Sequence, residues 1–239
     1  MKTLRAVVAA ATLIASAGAL AHGRLADLAV YDRTEGRWLP VHWHQGSAYI
    51  VGRAGNEYQV RVRSRGEELL AVTSVDGVNV ITGETANPSQ SGYVIARRGS
   101  VEIQGWRRSL SQTAAFYFTA LPDSYAARTG RPGDVGVIGV ALFRRKQEPY
   151  PIAPPAPQAR SEAGAERDSR LGTGHGRHET SQATYVTFER ASSAPAEVIT
   201  LYYDSHANLV ARGILRDPIH VAPLQPPRPF PGFVPDPRS

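Results

Sequence analysis

The chain has 239 residues, no cysteine and a formal net charge of +6. This length allows one or two domains with a sizeable core, and the absence of cysteine excludes disulfides and cysteine nucleophiles. The net charge is too small for the basic surface of a nucleic-acid-binding protein, so we predict no nucleic-acid partner.

The first 21 residues have the organisation of a secretory signal peptide. Lys2 and Arg5 precede an apolar run, and the run ends at a small-x-small cleavage site at residues 19–21. The apolar run is too short to span a bilayer as a helix. We therefore predict that residues 1–21 are removed, that His22 is the mature N-terminus, and that the protein is periplasmic or secreted without a transmembrane anchor.

Short segments with strand-like patterns begin soon after the predicted cleavage site. In residues 58–62 apolar side chains alternate with polar ones, which is typical of a strand with one buried face. Asp76-Gly77 favours a two-residue type I′ turn, and we expect a meander in which residues 58–62, 69–75 and 78–81 are successive strands. The apolar run at 134–144 predicts a central strand.

Further strand-sized segments recur along the chain, and no helical period of comparable length is present. We expect 92–96 to pair with 100–103, and Pro40 to place its strand at a sheet edge. The other predicted strands are 25–32, 37–44, 47–51, 113–120, 183–189 and 197–203. This spacing predicts an all-β fold, a mostly antiparallel β-sandwich.

Composition divides the mature chain into four parts. Residues 24–146 are predicted to form the β-sandwich, and 147–170, rich in Pro, Ala and Arg, a disordered linker. Residues 171–218 carry strand-like patterns again. Because a lone hairpin is marginal in water, we expect this C-terminal β segment to dock on the sandwich. Residues 219–239 predict a proline-rich, disordered tail.

The polar segment 123–134 is a candidate binding loop. It groups Asp123, Tyr125 and Arg128 ahead of a buried strand, and long loops on a rigid scaffold commonly bind ligands. An ion pair between arginine and carboxylate that clasps two strands is the structural alternative. Trp106, followed by two arginines, is a further candidate for a carbohydrate or lipid-phosphate contact, although a tryptophan at a strand end usually belongs to the core.

The glycine-rich segment 172–179 contains His175 and His178. Such a segment can hold an anion with main-chain N–H groups, and two nearby histidines can bind a metal. It follows no strand and opens no clear helix, so the context of a phosphate-binding loop is missing. We predict a compact loop that re-enters the fold and presents His175 to a ligand.

A mature N-terminal His22 would offer its α-amine and a ring nitrogen to one copper ion. His22 and Gly23 resemble the start of lytic polysaccharide monooxygenases, which also have a β-sandwich but carry disulfides. The resemblance implies copper-dependent oxidative chemistry with a second histidine ligand. His42 and His44 share a strand face and could supply it, as could the histidines of 172–179. Two histidines on an exposed edge strand are the structural alternative.

Several segments are similar to a family of exported, uncharacterised bacterial proteins. The resemblance covers most of the mature chain outside the linker, and it implies no assigned activity. The segments are Ser-Val-Asp-Gly-Val-Asn-Val at 74–80, Gly-Tyr-Val at 92–94, Gly-Trp-Arg at 105–107, Asp-Ser-Tyr-Ala-Ala-Arg-Thr-Gly at 123–130, Val-Gly-Val-Ile-Gly at 135–139 and Leu-Gly-Thr-Gly-His-Gly at 171–176.

The sequence contains no complete catalytic motif, since it lacks a Gly-x-Ser-x-Gly elbow and a dinucleotide-binding fingerprint. We therefore predict a non-enzymatic protein of the cell envelope, without a cofactor, that binds an envelope protein or glycan. Its predicted binding surface combines the Asp123–Arg128 loop with the loop of His175. The alternative is a copper-dependent oxidative enzyme, or a copper-binding protein, that uses His22.

Overall fold

The structure, a computed structural model, describes residues 20–147 and 171–216. Within these ranges the chain forms fifteen strands in two sheets and two short α-helices. The predicted mostly antiparallel β-sandwich is confirmed. The predicted linker beyond Gln147, the tail at 219–239 and residues 1–19 of the predicted signal peptide lie outside the described residues.

The elements in chain order are β1 (Ala21–His22), β2 (Ala26–Asp32), β3 (Arg37–Trp38), β4 (His42–His44), β5 (Ser47–Val51), β6 (Glu57–Ser64), β7 (Leu69–Val75), β8 (Val78–Asn79), β9 (Tyr93–Ile95), β10 (Ser100–Ile103), β11 (Gly105–Arg107), β12 (Gln112–Ala120), α1 (Tyr125–Arg128), β13 (Val137–Arg144), β14 (Leu171–Thr180), β15 (Glu197–Asp204) and α2 (His206–Ala211).

The first sheet has the order β1-β2-β6-β12-β11, with β3 beside β2, β10 beside β6 and β14 beside β12. The second sheet has the order β4-β5-β15-β13-β7-β8, with β9 beside β7. All neighbours are antiparallel except β5 and β15. β13 lies between β15 and β7, as predicted for a central strand.

The core lies between the two sheets and is built by alternating side chains. In β6, Tyr58, Val60 and Val62 are completely buried, whereas Gln59 and Arg61 are half-exposed on the outer face. β12 contributes large buried aromatic side chains next to them. Burial of this apolar surface is the main force that holds the sheets together.

The predicted meander is wrong, because β6 belongs to the first sheet and β7 to the second. The chain changes sheet at residues 65–68, where the Ser64 hydroxyl donates to the Glu67 carbonyl (2.5 Å). The predicted pairing of 92–96 with 100–103 is wrong in the same way, since β9 pairs with β7 and β10 with β6. Alternation shows which face of a strand is buried, but not which strand lies beside it.

The predicted Asp76-Gly77 turn is confirmed. It joins β7 to β8 with two residues, and its φ angles are +51° and +69°. Positive φ at both positions is the requirement of a type I′ hairpin, and aspartate and glycine tolerate it.

The predicted glycine-rich loop at 172–179 is instead strand β14, which pairs with β12 over most of its length. Its glycines allow close packing: a Cβ at Gly174 would overlap the ring of Tyr117, and one at Gly176 would lie 2.6 Å from the Ala115 carbonyl oxygen. The predicted strand at 183–189 is wrong, since within the range 171–216 these residues form no strand.

The C-terminal segment contributes to both sheets, because β14 joins the first and β15 lies between β5 and β13 in the second. Arg33 anchors the outer end of β14 with two hydrogen bonds of 2.7 Å to Glu179. Neither helix in the described ranges is long and apolar enough to cross a membrane.

Candidate functional site

Four of the residues singled out in the sequence lie together at one end of the sandwich. Asp123, Tyr125, Arg128 and His175 line an open pocket of about 460 Å³, with Thr129 as the fifth lining residue. The loop and the histidine are about fifty positions apart in the chain, and the docking of α1 against β14 brings them into contact. The two segments of the predicted binding surface therefore line the same pocket.

The loop that carries α1 is fixed by its helix cap. The completely buried Ser124 accepts a hydrogen bond from the Ala127 N–H (3.1 Å) and donates one to the Leu121 carbonyl (2.8 Å). Serine at this position stabilises the first turn of a helix. A Cβ at Gly172 would lie 2.5 Å from the Ser124 Cβ, so this glycine lets the cap sit directly on β14.

Tyr125 lies between two other rings. Its ring centroid is 4.9 Å from that of Trp106 and 5.4 Å from that of His175. Trp106 is only 3% exposed and packs edge-on against Phe116, and it does not line the pocket. Trp106 therefore supports the site from the core side, while Tyr125 and His175 form its surface.

Asp123 and Arg128 have no ion-pair partner within 4.0 Å and no hydrogen bond to their side chains in the described part of the chain. The alternative of an arginine–carboxylate clasp is thus not formed. Both side chains are exposed at the rim, and their polar groups are available to a ligand.

The electrostatic environment of His175 is positive. Burial, followed by the charge of Arg108, lowers the pKa of His175, and His178 and Arg128 act in the same direction. Arg108 Nη1 donates a hydrogen bond of 2.7 Å to His178 Nε2. In the sequence Arg108 stands out only as a neighbour of Trp106; the pairing of β11 and β14 with β12 brings it to His178.

The histidines of the copper hypothesis lie on different strands. His22 is on β1 in the first sheet, where its Nδ1 lies 2.8 Å from Asp27 Oδ1. His42 and His44 are on β4 in the second sheet. Burial, followed by the charge of His206, lowers the pKa of His42. No group of three or more metal-binding side chains occurs among the described residues, and copper binding stays a prediction.

A buried chain of hydrogen bonds runs behind the pocket and joins the two sheets. Thr173, two residues before His175 on β14, contacts the hydroxyls of Tyr58 (2.5 Å) and Tyr203 (2.6 Å). The Tyr203 hydroxyl donates to Asp76 Oδ1 (2.5 Å), which also accepts from the Gly136 N–H (2.9 Å). The Thr173 N–H donates to Asp76 Oδ2 (2.6 Å). A polar chain of this kind fixes how the sheets lie against each other.

Asp76 is completely buried. Burial raises the pKa of its carboxyl from 3.8 to about 6, although the hydrogen bonds that it accepts act in the opposite direction. The sequence contained no signal for this role, because an aspartate before glycine at a hairpin is explained by the turn alone.

No protein-family model, curated protein or solved structure matches this chain. The function is therefore inferred from the pocket and its surroundings.

Proposed function

We propose that the protein is exported to the cell envelope and binds a ligand or partner, without catalysis, in the pocket lined by Asp123, Tyr125, Arg128 and His175. The observation that carries this proposal is the convergence of these side chains from a capped loop and a strand on a rigid sandwich. Rigid scaffolds commonly present binding residues in this way.

The polar groups of the pocket favour binding over covalent chemistry. The Thr129 hydroxyl donates to the Tyr125 carbonyl (2.8 Å), so it is held within its own helical turn. His175 therefore has no aliphatic hydroxyl poised beside it in the described pocket, and a nucleophile activated by a base needs that arrangement. Asp123 instead offers the two acceptor oxygens of its carboxylate to a bound molecule, and Arg128 offers the N–H donors of its guanidinium group.

Simultaneous replacement of Asp123, Arg128 and His175 by alanine is expected to abolish capture of the partner from an envelope extract. The melting temperature should change by no more than about 4 °C, because two of the three side chains are exposed and unpaired. The measurement is a pull-down with each protein, analysed by mass spectrometry. Arg97→Ala, at an exposed turn elsewhere, is the matched control. Capture of the same partner by the triple variant would place binding elsewhere.

Export predicts a processed N-terminus, and the packing of β1 supports a particular cleavage point. Ala21 is buried and pairs with Leu28, so cleavage after it would remove a core residue from β1. In place of the cleavage after Ala21 predicted from the sequence alone, we propose cleavage after Ala19, at the small-x-small sequence 17–19, which leaves Leu20 first. Intact-mass spectrometry of the exported protein measures this. A chain that begins at His22 would contradict it, and would also expose the α-amine that the copper alternative requires.

A further inference from the structure

We propose that the ligand of the α1–β14 pocket carries an oxyanion, either a carboxylate or a phosphate or sulfate group, and that Arg128 is its principal contact. This inference rests on the proposed binding function and specifies the chemistry of the ligand.

Cationic side chains outnumber carboxylates around the pocket. Arg128 lines the pocket, Arg108 acts electrostatically on His175 from the β11–β12 side, and both guanidinium groups are permanently charged. Asp123 is the only carboxylate among the lining residues of the described ranges. An excess of positive charge attracts an anion. The ring of His175 is part-buried, and the attraction between a cation and an anion is stronger there than in open solvent.

The guanidinium donors of Arg128 are available to a ligand. Several arginines of the sandwich bind carboxylates: Arg33 binds Glu179, Arg177 binds Glu57, and Arg145 binds Glu68, each through two hydrogen bonds. Arg128 makes no such pair within the described ranges, although it stands at a pocket. The planar guanidinium fork matches the two oxygens of a carboxylate or phosphate. An external oxyanion would give Arg128 the carboxylate-like partner that Arg33, Arg177 and Arg145 have within the protein.

His175 links binding of an anion to the pH. The charged and titratable groups that face it are Arg108, His178 and, from the α1 loop, Asp123, Tyr125 and Arg128. Burial, followed by the charge of Arg108, lowers the pKa of His175 and so favours the neutral ring. A bound anion would favour the protonated ring. Binding should therefore take up a proton, and the affinity should rise as the pH falls below the ordinary pKa of histidine, about 6.5.

The test uses sodium glucuronate, glucose and inorganic phosphate as probes. Glucuronate and glucose share a sugar ring and differ at one carboxylate, so their comparison isolates the negative charge. Binding is followed by 1H–15N NMR of the full mature chain, at concentrations up to roughly 50 mM, which detects millimolar Kd values. The variants are Arg128→Gln and His175→Ala, with Arg97→Gln as the matched control.

We expect glucuronate or phosphate, but not glucose, to shift the signals of residues 123–129 and 173–178. Arg128→Gln should weaken that binding about tenfold or more, as loss of a charged hydrogen bond does, while Arg97→Gln leaves it unchanged. His175→Ala should remove the increase in affinity at low pH. The stronger of the two anions identifies the source of the oxyanion, a carboxylate or a phosphate ester.

Two results would overturn the inference. Glucose binding at the pocket as tightly as glucuronate, with no effect of Arg128→Gln, would leave a binding site for an uncharged ligand. Absence of any shift with either anion would show that the cations alone do not hold an oxyanion. In both cases the capture experiment with the triple alanine variant still decides separately whether the pocket binds a partner.

Discussion

Asp76→Ala is expected to lower the free energy of unfolding by about 3–5 kcal/mol. The substitution leaves the donors of Tyr203, Thr173 and Gly136 facing a cavity in the core, and each buried donor without an acceptor is destabilising. Alanine also tolerates the φ of +51° at this position less well than aspartate. Urea denaturation of the variant and the wild-type chain measures the difference.

Asp76→Asn is the matched variant, because asparagine keeps the size of the side chain and accepts a positive φ. Its amide supplies one oxygen where Asp76 supplies two, so its NH2 group must face a donor on one side. We expect a loss smaller than that of Asp76→Ala but still measurable. If both variants unfold at the wild-type urea concentration, the hydrogen-bond chain between the sheets does not contribute to stability.

The pH dependence of stability provides a second measurement on the same residue. Because the folded-state pKa of Asp76 is raised, the native state binds this proton more tightly than the unfolded chain does. The contribution of Asp76 is therefore most favourable below about pH 4, and it is lost as the pH rises towards about 6. A shift of this size corresponds to about 3 kcal/mol.

Other carboxylates titrate in the same range, so the informative quantity is the difference between the wild-type and Asp76→Asn profiles. Asparagine does not titrate, and the wild-type chain should lose more stability between pH 4 and 6 than the variant does. Parallel profiles would show that the carboxyl of Asp76 has an ordinary pKa.

The all-β architecture follows from sequence because period-two alternation and turn residues are local signals. The Asp76-Gly77 hairpin and the central position of β13 were predictable for this reason. The sheet to which each strand belongs was not predictable, since β6 and β7 are consecutive strands that lie in opposite sheets. Their side-chain patterns are satisfied equally well by pairing with each other or by packing face to face across the core.

The residues of the candidate site were also predictable from the sequence, whereas their position relative to one another was not. The polar side chains of Asp123, Tyr125 and Arg128 were visible in one short segment, and His175 in another. Their proximity depends on the pairing of β12 with β14 across the chain segment 148–170, which no local pattern specifies. The glycines of β14 suggested a loop, although they recur at every second position, and that period is the signal of a strand with one closely packed face.

Gly105→Ala is expected to destabilise the protein by at least about 3 kcal/mol, the upper range for an overpacked core. A Cβ on Gly105 would overlap the main-chain carbonyl oxygen of Ala114 and lie 2.5 Å from its carbonyl carbon. These are backbone atoms of the neighbouring strand, so no side-chain rotation relieves the overlap. The β11–β12 ladder must separate at Gly105, and the adjacent Trp106 must move with it.

Movement of Trp106 would displace Tyr125 in the pocket, because the centroids of the two rings are 4.9 Å apart and the rings are in contact. We therefore expect Gly105→Ala to shift the NMR signals of Tyr125 and His175 as well as the urea midpoint. Gly66→Ala is the matched control: a Cβ there would have no neighbour within 4 Å, and its backbone lies outside the positive-φ region. It should change stability by less than about 1 kcal/mol. Equal urea midpoints for the two alanine variants would show that β11 moves away from Ala114 at little cost, and that the support of Tyr125 by the core is not rigid.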